Sequence, residues 1–150
     1  MDRARKNLEA AYRAAWVEIE LPSGPVQFPP VAVGRLPSLP PELEPWGSVI
    51  TACNPRSVPL SPGENEARQE ALAAALTDLG VPVFPALGRD EGSTWTEPSF
   101  AVVAPPRAEL IALARRFEQN AVYLWRGRSW RVIWIPPVPS SPSQSGDGSP

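Results

Sequence analysis

The run Val49-Ile-Thr-Ala-Cys-Asn-Pro55, followed by Ser61-Pro-Gly-Glu-Asn65, restricts what this chain can fold into more than any other stretch. Ser48 to Cys53 is a short apolar segment that reads as a buried strand. Asn54-Pro55 ends it, because Asn tolerates turn geometry and the residue before a proline is driven away from helix. Ser61 at the N-cap, Pro62 at the first helical position and Glu64 three residues after the cap are the signature of a capping box, so a helix starts there. Strand, turn and capped helix within so few residues bring Asn54, Arg56 and Asn65 to one end of a sheet. The free N–H groups of a helix N-terminus favour anions at such a place.

Short elements flank this unit. Asp2 can cap a helix over about residues 3–13. Trp16 to Leu21 alternates with period two, as a half-buried strand does. Ser23-Gly24 is a turn, and Val26 to Val33 reads as a return strand that Pro29-Pro30 breaks or confines to an edge. Residues 35–46 are a Pro-rich loop. The capped helix runs to about Leu79, with Leu72, Ala75, Leu76 and Leu79 on one face and Gly80 as its stop. Val81 to Pro85 is a strand, Leu87 to Thr94 a polar loop, and Pro98 to Ala104 a strand. Pro105-Pro106 opens a helix to about Glu118, with Leu110, Ile111, Ala114 and Phe117 as its buried stripe. Asn120 to Arg126 and Ser129 to Ile135 are strands joined at Gly127-Arg128.

The middle of the chain thus has the order β-α-β-β-α-β. The expected fold class is α+β, with a ferredoxin-like split β-α-β core. It is an antiparallel sheet with two helices on one face, extended by an N-terminal hairpin and a C-terminal strand. Residues 1–135 read as a single domain and 136–150 as a disordered Pro/Ser/Gly tail.

Composition excludes more than it suggests. The chain has 150 residues, a net charge of −2, no His and one Cys. Without His there is no Ser-His-Asp triad, no Cys-His dyad and no imidazole metal ligand. With Cys53 alone there is no internal disulfide and no Cys zinc site. No apolar run is long enough for a membrane helix and no signal peptide is visible, so the reading is cytoplasmic, with no membrane partner. No cofactor and no metal are implied. The slight acidity gives no support to non-specific nucleic-acid binding.

Four motifs carry a resemblance. Thr51-Ala-Cys-Asn-Pro55, Glu64-Asn65, Glu97-Pro-Ser99 and Ala114-Arg-Arg-Phe-Glu-Gln-Asn-Ala121 resemble, in that order, the bacterial family catalogued as domain of unknown function 3293. The resemblance spans roughly Tyr12 to Ile135 and implies no known activity. The family pattern usually has Gly where this chain has Glu118, and it does not require Cys at position 53.

The candidate site residues each have a plain structural reading beside the functional one. Asn54 can simply shape the turn. Glu64 can simply complete the capping box, and Arg56 can be a solvated loop charge. Asn65 is less easily explained, being a mediocre helix former in the first turn. Glu97 is the candidate general base, since no His competes for that role, though capping a loop or pairing with an arginine is the plainer reading. Gln119 can bond a buried backbone group, and Asn120 can end a helix.

The first function expected is a binding module for an anionic small molecule or nucleotide at Asn54, Arg56 and Asn65, with Gln119 as a further ligand-binding residue. The second is a carboxylate-based hydrolase or transferase using Glu97. The third is a nucleic-acid or protein interaction domain using the Trp125–Trp134 hairpin. A two-residue turn there sets Trp125 opposite Trp130, Tyr123 opposite Val132 and Ala121 opposite Trp134, with Arg126, Arg128 and Arg131 nearby. Such aromatic faces either stack bases or pack a core.

Overall fold

The structure is a computed structural model that describes residues 3–92 and 95–136. Helix α1 (Arg3–Ala14) leads into the hairpin of β1 (Trp16–Leu21) and β2 (Gly24–Phe28). Two short 3-10 turns, Val31–Val33 and Pro41–Leu43, precede β3 (Trp46–Ile50). A third, Pro55–Ser57, precedes α2 (Pro62–Leu79), which is followed by β4 (Val83–Arg89) and β5 (Thr96–Val103). Helix α3 (Arg107–Arg116) and the hairpin of β6 (Ala121–Arg126) and β7 (Ser129–Trp134) complete the order.

Local chemistry sets these boundaries. Both halves of the capping box are present: the Ser61 hydroxyl accepts from the Glu64 amide, and the Glu64 carboxylate accepts from the Ser61 amide. Gly80, at φ 72°, closes α2 in the left-handed conformation that glycine adopts without a Cβ clash. Pro29-Pro30 ends β2 at Phe28, so the expected return strand to Val33 stops short and turns. Strand β4 runs further than its sequence suggests, through Arg89, because β1 pairs with it along Ala86 to Arg89.

The seven strands form one sheet in the order β2-β1-β4-β5-β3-β6-β7, and every neighbouring pair is antiparallel. The expected ferredoxin-like core with two helices on one face of its sheet is therefore corrected. Among the described residues there are three helices and a seven-stranded antiparallel sheet curled into a half-barrel.

The curl follows from contacts between the sheet's two edges. At ~4.8 Å per strand a flat sheet would hold β2 and β7 roughly 29 Å apart. Yet the Phe28 and Trp130 rings meet with centroids 4.9 Å apart, and Phe28 also meets Trp125 at 5.6 Å. Trp130 Nε1 donates to the Pro29 carbonyl at 2.9 Å, and the Leu36 amide donates to the Arg128 carbonyl at 3.0 Å, so the segment after β2 spans the gap.

Both faces of the sheet are consequently buried. On the outer face, α2 and α3 pack Leu72, Leu76, Leu110, Leu113, Ala114 and Phe117 against Ile50, Val102 and Val122. On the inner face, Val17, Ile19, Phe28, Val49, Ala101, Val103, Trp125 and Trp130 close around Leu36 and Leu43. A ferredoxin-like expectation leaves that second face open, and here it is the larger apolar surface that drives the chain to wrap.

Candidate functional site

Side-chain size along the inner face decides where space is left. On β5 the inner positions alternate as Glu97, Ser99, Ala101 and Val103, of which the last two join the inner core. On β6 they are Ala121, Tyr123 and Trp125. Trp125, Trp130 and Phe28 fill one end completely. At the other end Glu97, Ser99, Thr51, Gly88 and Ala121 are too short to meet, and a cavity of about 480 Å³ remains. Helix α1 covers it, contributing Leu8, Ala11 and Tyr12 to the wall, with Trp95 at another side. Tyr12 is fixed by contact with Trp134, ring centroids 5.3 Å apart, and the Tyr12 carbonyl accepts from the Tyr123 hydroxyl at 2.7 Å.

The four motifs converge at this cavity. Asn54 lies at φ 50° after β3, and its side chain links three of them. Its Nδ2 donates to Glu97 Oε2 at 3.1 Å. Its Oδ1 accepts from the Leu60 amide at 3.1 Å and from Asn65 Nδ2 at 2.8 Å, while its own amide donates to Asn65 Oδ1 at 2.9 Å. Gln119, buried, brings in the fourth motif: its Nε2 donates to the carbonyls of Cys53 at 3.1 Å and Phe117 at 3.2 Å.

Helix α2 secures the same segment from behind. Gln69 Oε1 accepts from the Ala52 amide at 2.7 Å, and Arg68 donates to the carbonyls of Ala52 and Phe117. Asn65, Arg68 and Gln69 share one helical face with the buried Leu72 and Leu76. A polar cluster on an otherwise buried stripe was the sequence signal that would have found Arg68 and Gln69 as partners of Asn65.

The structure thus divides the expected site residues. Glu97, Asn54 and Gln119 line the cavity together. Asn65 sits behind them with both ends of its amide committed to Asn54. Arg56 is exposed on the loop and does not line the cavity. The α2 N-terminus already holds a carboxylate, that of Glu64, whose pKa the Ser61 amide and hydroxyl lower. Trp125 and Trp130 are buried with their indole N–H groups bonded to the Leu43 and Pro29 carbonyls, so these two rings offer no exposed stacking surface. The hairpin register is Trp125 opposite Trp130, Tyr123 opposite Val132 and Ala121 opposite Trp134. Tyr12 and Trp95 are cavity residues that the sequence did not single out, and Tyr123, expected on an aromatic hairpin face, lines the cavity as well.

The electrostatics are unusual for a small acidic protein. The Glu97 carboxyl is pushed up to about 7 because burial penalises its ionised form more than the Asn54 hydrogen bond favours it. Burial, and then the Glu97 charge, pushes Tyr12 up to about 12, while burial, then Tyr12 and then the Glu97 charge, raises Tyr123. Burial likewise raises the Cys53 thiol, which stays protonated and donates toward the Pro98 carbonyl at 3.7 Å. A neutral thiol is a poor nucleophile, so Cys53 is a packing residue here. Among the described residues no group of three or more Cys, Asp or Glu side chains is arranged to hold a metal ion.

Strain concentrates beside the cavity. Asn54, Arg56 and Ser57 have φ of 50°, 52° and 62°, and Glu118 has φ 58°. Such conformations cost about 1 kcal/mol or more in a non-glycine residue and persist only where neighbours impose them. Here the Arg56 amide donates to the Glu118 carbonyl at 2.7 Å, and Asn120 Nδ2 donates to Ser57 Oγ at 2.9 Å. The left-handed backbone at Glu118 gives a physical reason for the Gly that the resemblance implies at this place. Glu118→Gly is expected to stabilise the protein by about 1 kcal/mol in urea unfolding. A loss instead would mean that the half-exposed Glu118 ion pair with Arg68, at 3.7 Å, outweighs the strain.

No described helix is long and apolar enough to cross a membrane. No curated protein and no solved structure matches the chain. Residues 50–122, the span that runs from the end of β3 into β6 and holds Asn54, Asn65, Glu97 and Gln119, match the family model described as "Protein of unknown function (DUF3293)". Over that span the chain resembles this uncharacterised family, as its four motifs indicate.

Proposed function

We propose that this chain binds a small organic molecule in the cavity beneath α1, with Glu97 as its polar anchor. One observation carries the reading: a cavity of about 480 Å³, walled largely by apolar and aromatic groups, presents a carboxylate that no arginine or lysine among the described residues neutralises. Ligand pockets typically measure ~300–1,000 Å³ and combine apolar walls with a few convergent polar groups. An anion at Asn54, Arg56 and Asn65 draws less support, because the two amides are committed to each other and Arg56 is exposed and does not line the cavity.

A second reading, catalysis, is favoured by one specific feature. A carboxyl poised near neutral pH can take and return a proton, and Glu97 is the group in the cavity with that property. In that case Glu97 is the general base and Asn54 orients it.

The test is a thermal-shift screen of wild type and Glu97→Gln against amines, neutral aromatic alcohols, carboxylic acids and nucleotides. A compound that raises the unfolding temperature of wild type and loses its effect in Glu97→Gln supports the cavity as the site. Compounds that act equally on both proteins, or a flat response to the whole set at millimolar concentration, contradict it. Turnover of a bound compound, with a rate that rises through about pH 7 as Glu97 ionises, would distinguish the catalytic reading.

A further inference from the structure

The charge of the cavity points to a ligand class. Three carboxylates, Glu97, Asp90 and Glu91, line it, and no arginine or lysine does. The groups coupled to Glu97 are Tyr12 from α1, Tyr123 from β6, and Cys53 and Asn54 from the segment after β3. All four are neutral at pH 7. Arg68 on α2, whose charge reaches Cys53, is already engaged by the carbonyls of Ala52 and Phe117 and by Glu118. Among the described residues, Asn54 supplies the side-chain hydrogen bond to the Glu97 carboxylate. Tyr12, Tyr123 and Trp95 add three aromatic rings to the wall. A desolvated carboxylate beside aromatic faces is the arrangement that recognises organic cations, through a charge-assisted hydrogen bond at the head and ring contact along the body.

We infer that the cavity selects an organic ammonium ion, its head group against Glu97 and its apolar body along Tyr12, Tyr123 and Trp95. The inference rests on the proposed reading of the cavity as the binding site and adds the charge of what it takes. An anion would have to be desolvated beside the Glu97 carboxylate, in a cavity that no arginine or lysine lines. A neutral molecule would leave the Glu97 carboxylate without an opposite charge.

The experiment is calorimetric titration of the full chain at pH 8 with three probes of one size: benzylammonium, benzyl alcohol and benzoate. Benzylammonium is expected to bind about tenfold or more tightly than the other two, the difference that one charge-assisted hydrogen bond supplies. In Glu97→Gln that preference is expected to vanish while the weak binding of benzyl alcohol persists. If benzyl alcohol or benzoate binds wild type as tightly as benzylammonium, the ammonium assignment is overturned and the cavity reading stands. If none of the three binds to folded wild type at millimolar concentration, the cavity reading and the ammonium assignment both fall.

Discussion

Glu97→Gln is expected to make the protein more stable at pH 8, by about 2–3 kcal/mol, and to change stability little at pH 4. The sign follows from the direction of the shift. The Glu97 carboxyl titrates at about 7 when folded against an ordinary value of 4.5. Between those values the folded chain holds a proton that the unfolded chain has released, so stability falls as pH rises through this window and levels off above it. The lower part of the quoted range allows for the partial exposure of Glu97 to the cavity. Glutamine keeps an oxygen for the Asn54 amide and never ionises, so its contribution is flat with pH. Urea unfolding of both proteins at pH 4 and pH 8 reads the difference directly. A variant less stable than wild type at pH 8 would show that the carboxylate is a structural asset. A gain would mark Glu97 as a residue that weakens the fold at neutral pH, the pattern expected of a group whose role is chemical.

The second large effect lies at the closed end of the half-barrel. Trp125→Ala is expected to destabilise the protein by about 3–5 kcal/mol, the range for truncating a large aromatic residue in a core. Trp125 is 0% exposed, touches Phe28 across the curl, and donates its indole N–H to the Leu43 carbonyl at 2.8 Å. Its loss removes the side chain on which the two edges of the sheet converge. Domains have only ~5–15 kcal/mol of stability in total, so this single change takes a large share of it. Gly47 tests the same region from the opposite direction. A Cβ at Gly47 would collide with the Trp125 ring and with the Val102 carbonyl, and the latter is backbone of a paired strand that cannot yield cheaply. Gly47→Ala should therefore be strongly destabilising although it adds one methyl group. Trp134→Ala, at a partly exposed ring, should cost distinctly less in the same urea assay. Equal losses at Trp125 and Trp134 would contradict the placement of the core.

How much of this was legible in the sequence depends on the range of the interactions. The capping box at Ser61 and Glu64, the Gly80 stop and the stripes of α2 and α3 are local, and the chain states them outright. The register of the β6-β7 hairpin is also local, since a two-residue turn at Gly127-Arg128 leaves one way to pair Trp125 with Trp130. The curl of the sheet is not local. It rests on Phe28 meeting Trp125 and Trp130, about a hundred positions along the chain, and on the segment after β2 reaching Arg128. No periodicity encodes such a meeting, so an order of strands and helices that suits a ferredoxin-like fold was compatible with a sheet that wraps.

The site shows the same division. Asn54, Asn65, Glu97 and Gln119 stood out as polar residues at element boundaries, and all four contribute to one hydrogen-bonded region. Their division of labour could not be read in advance. Asn65 looked like a ligand contact because it is a poor helix former, yet its amide is used to hold Asn54. Tyr12 looked like one residue of a terminal helix, yet the wrapped sheet turns that helix into the cover of the cavity. The strand expected from Pro98 begins at Thr96, so Glu97 faces inward with Ala101 and Val103, and only the curl gives it an enclosed space to face.

The measurement that bears most directly on the account is an NMR titration of the Glu97 side-chain carboxyl carbon in wild type, assigned by comparison with Glu97→Gln. The cavity described here predicts a midpoint of about 7. A midpoint at the ordinary 4.5 would mean that Glu97 is solvated or paired with a cation, and that the cavity is not the site proposed.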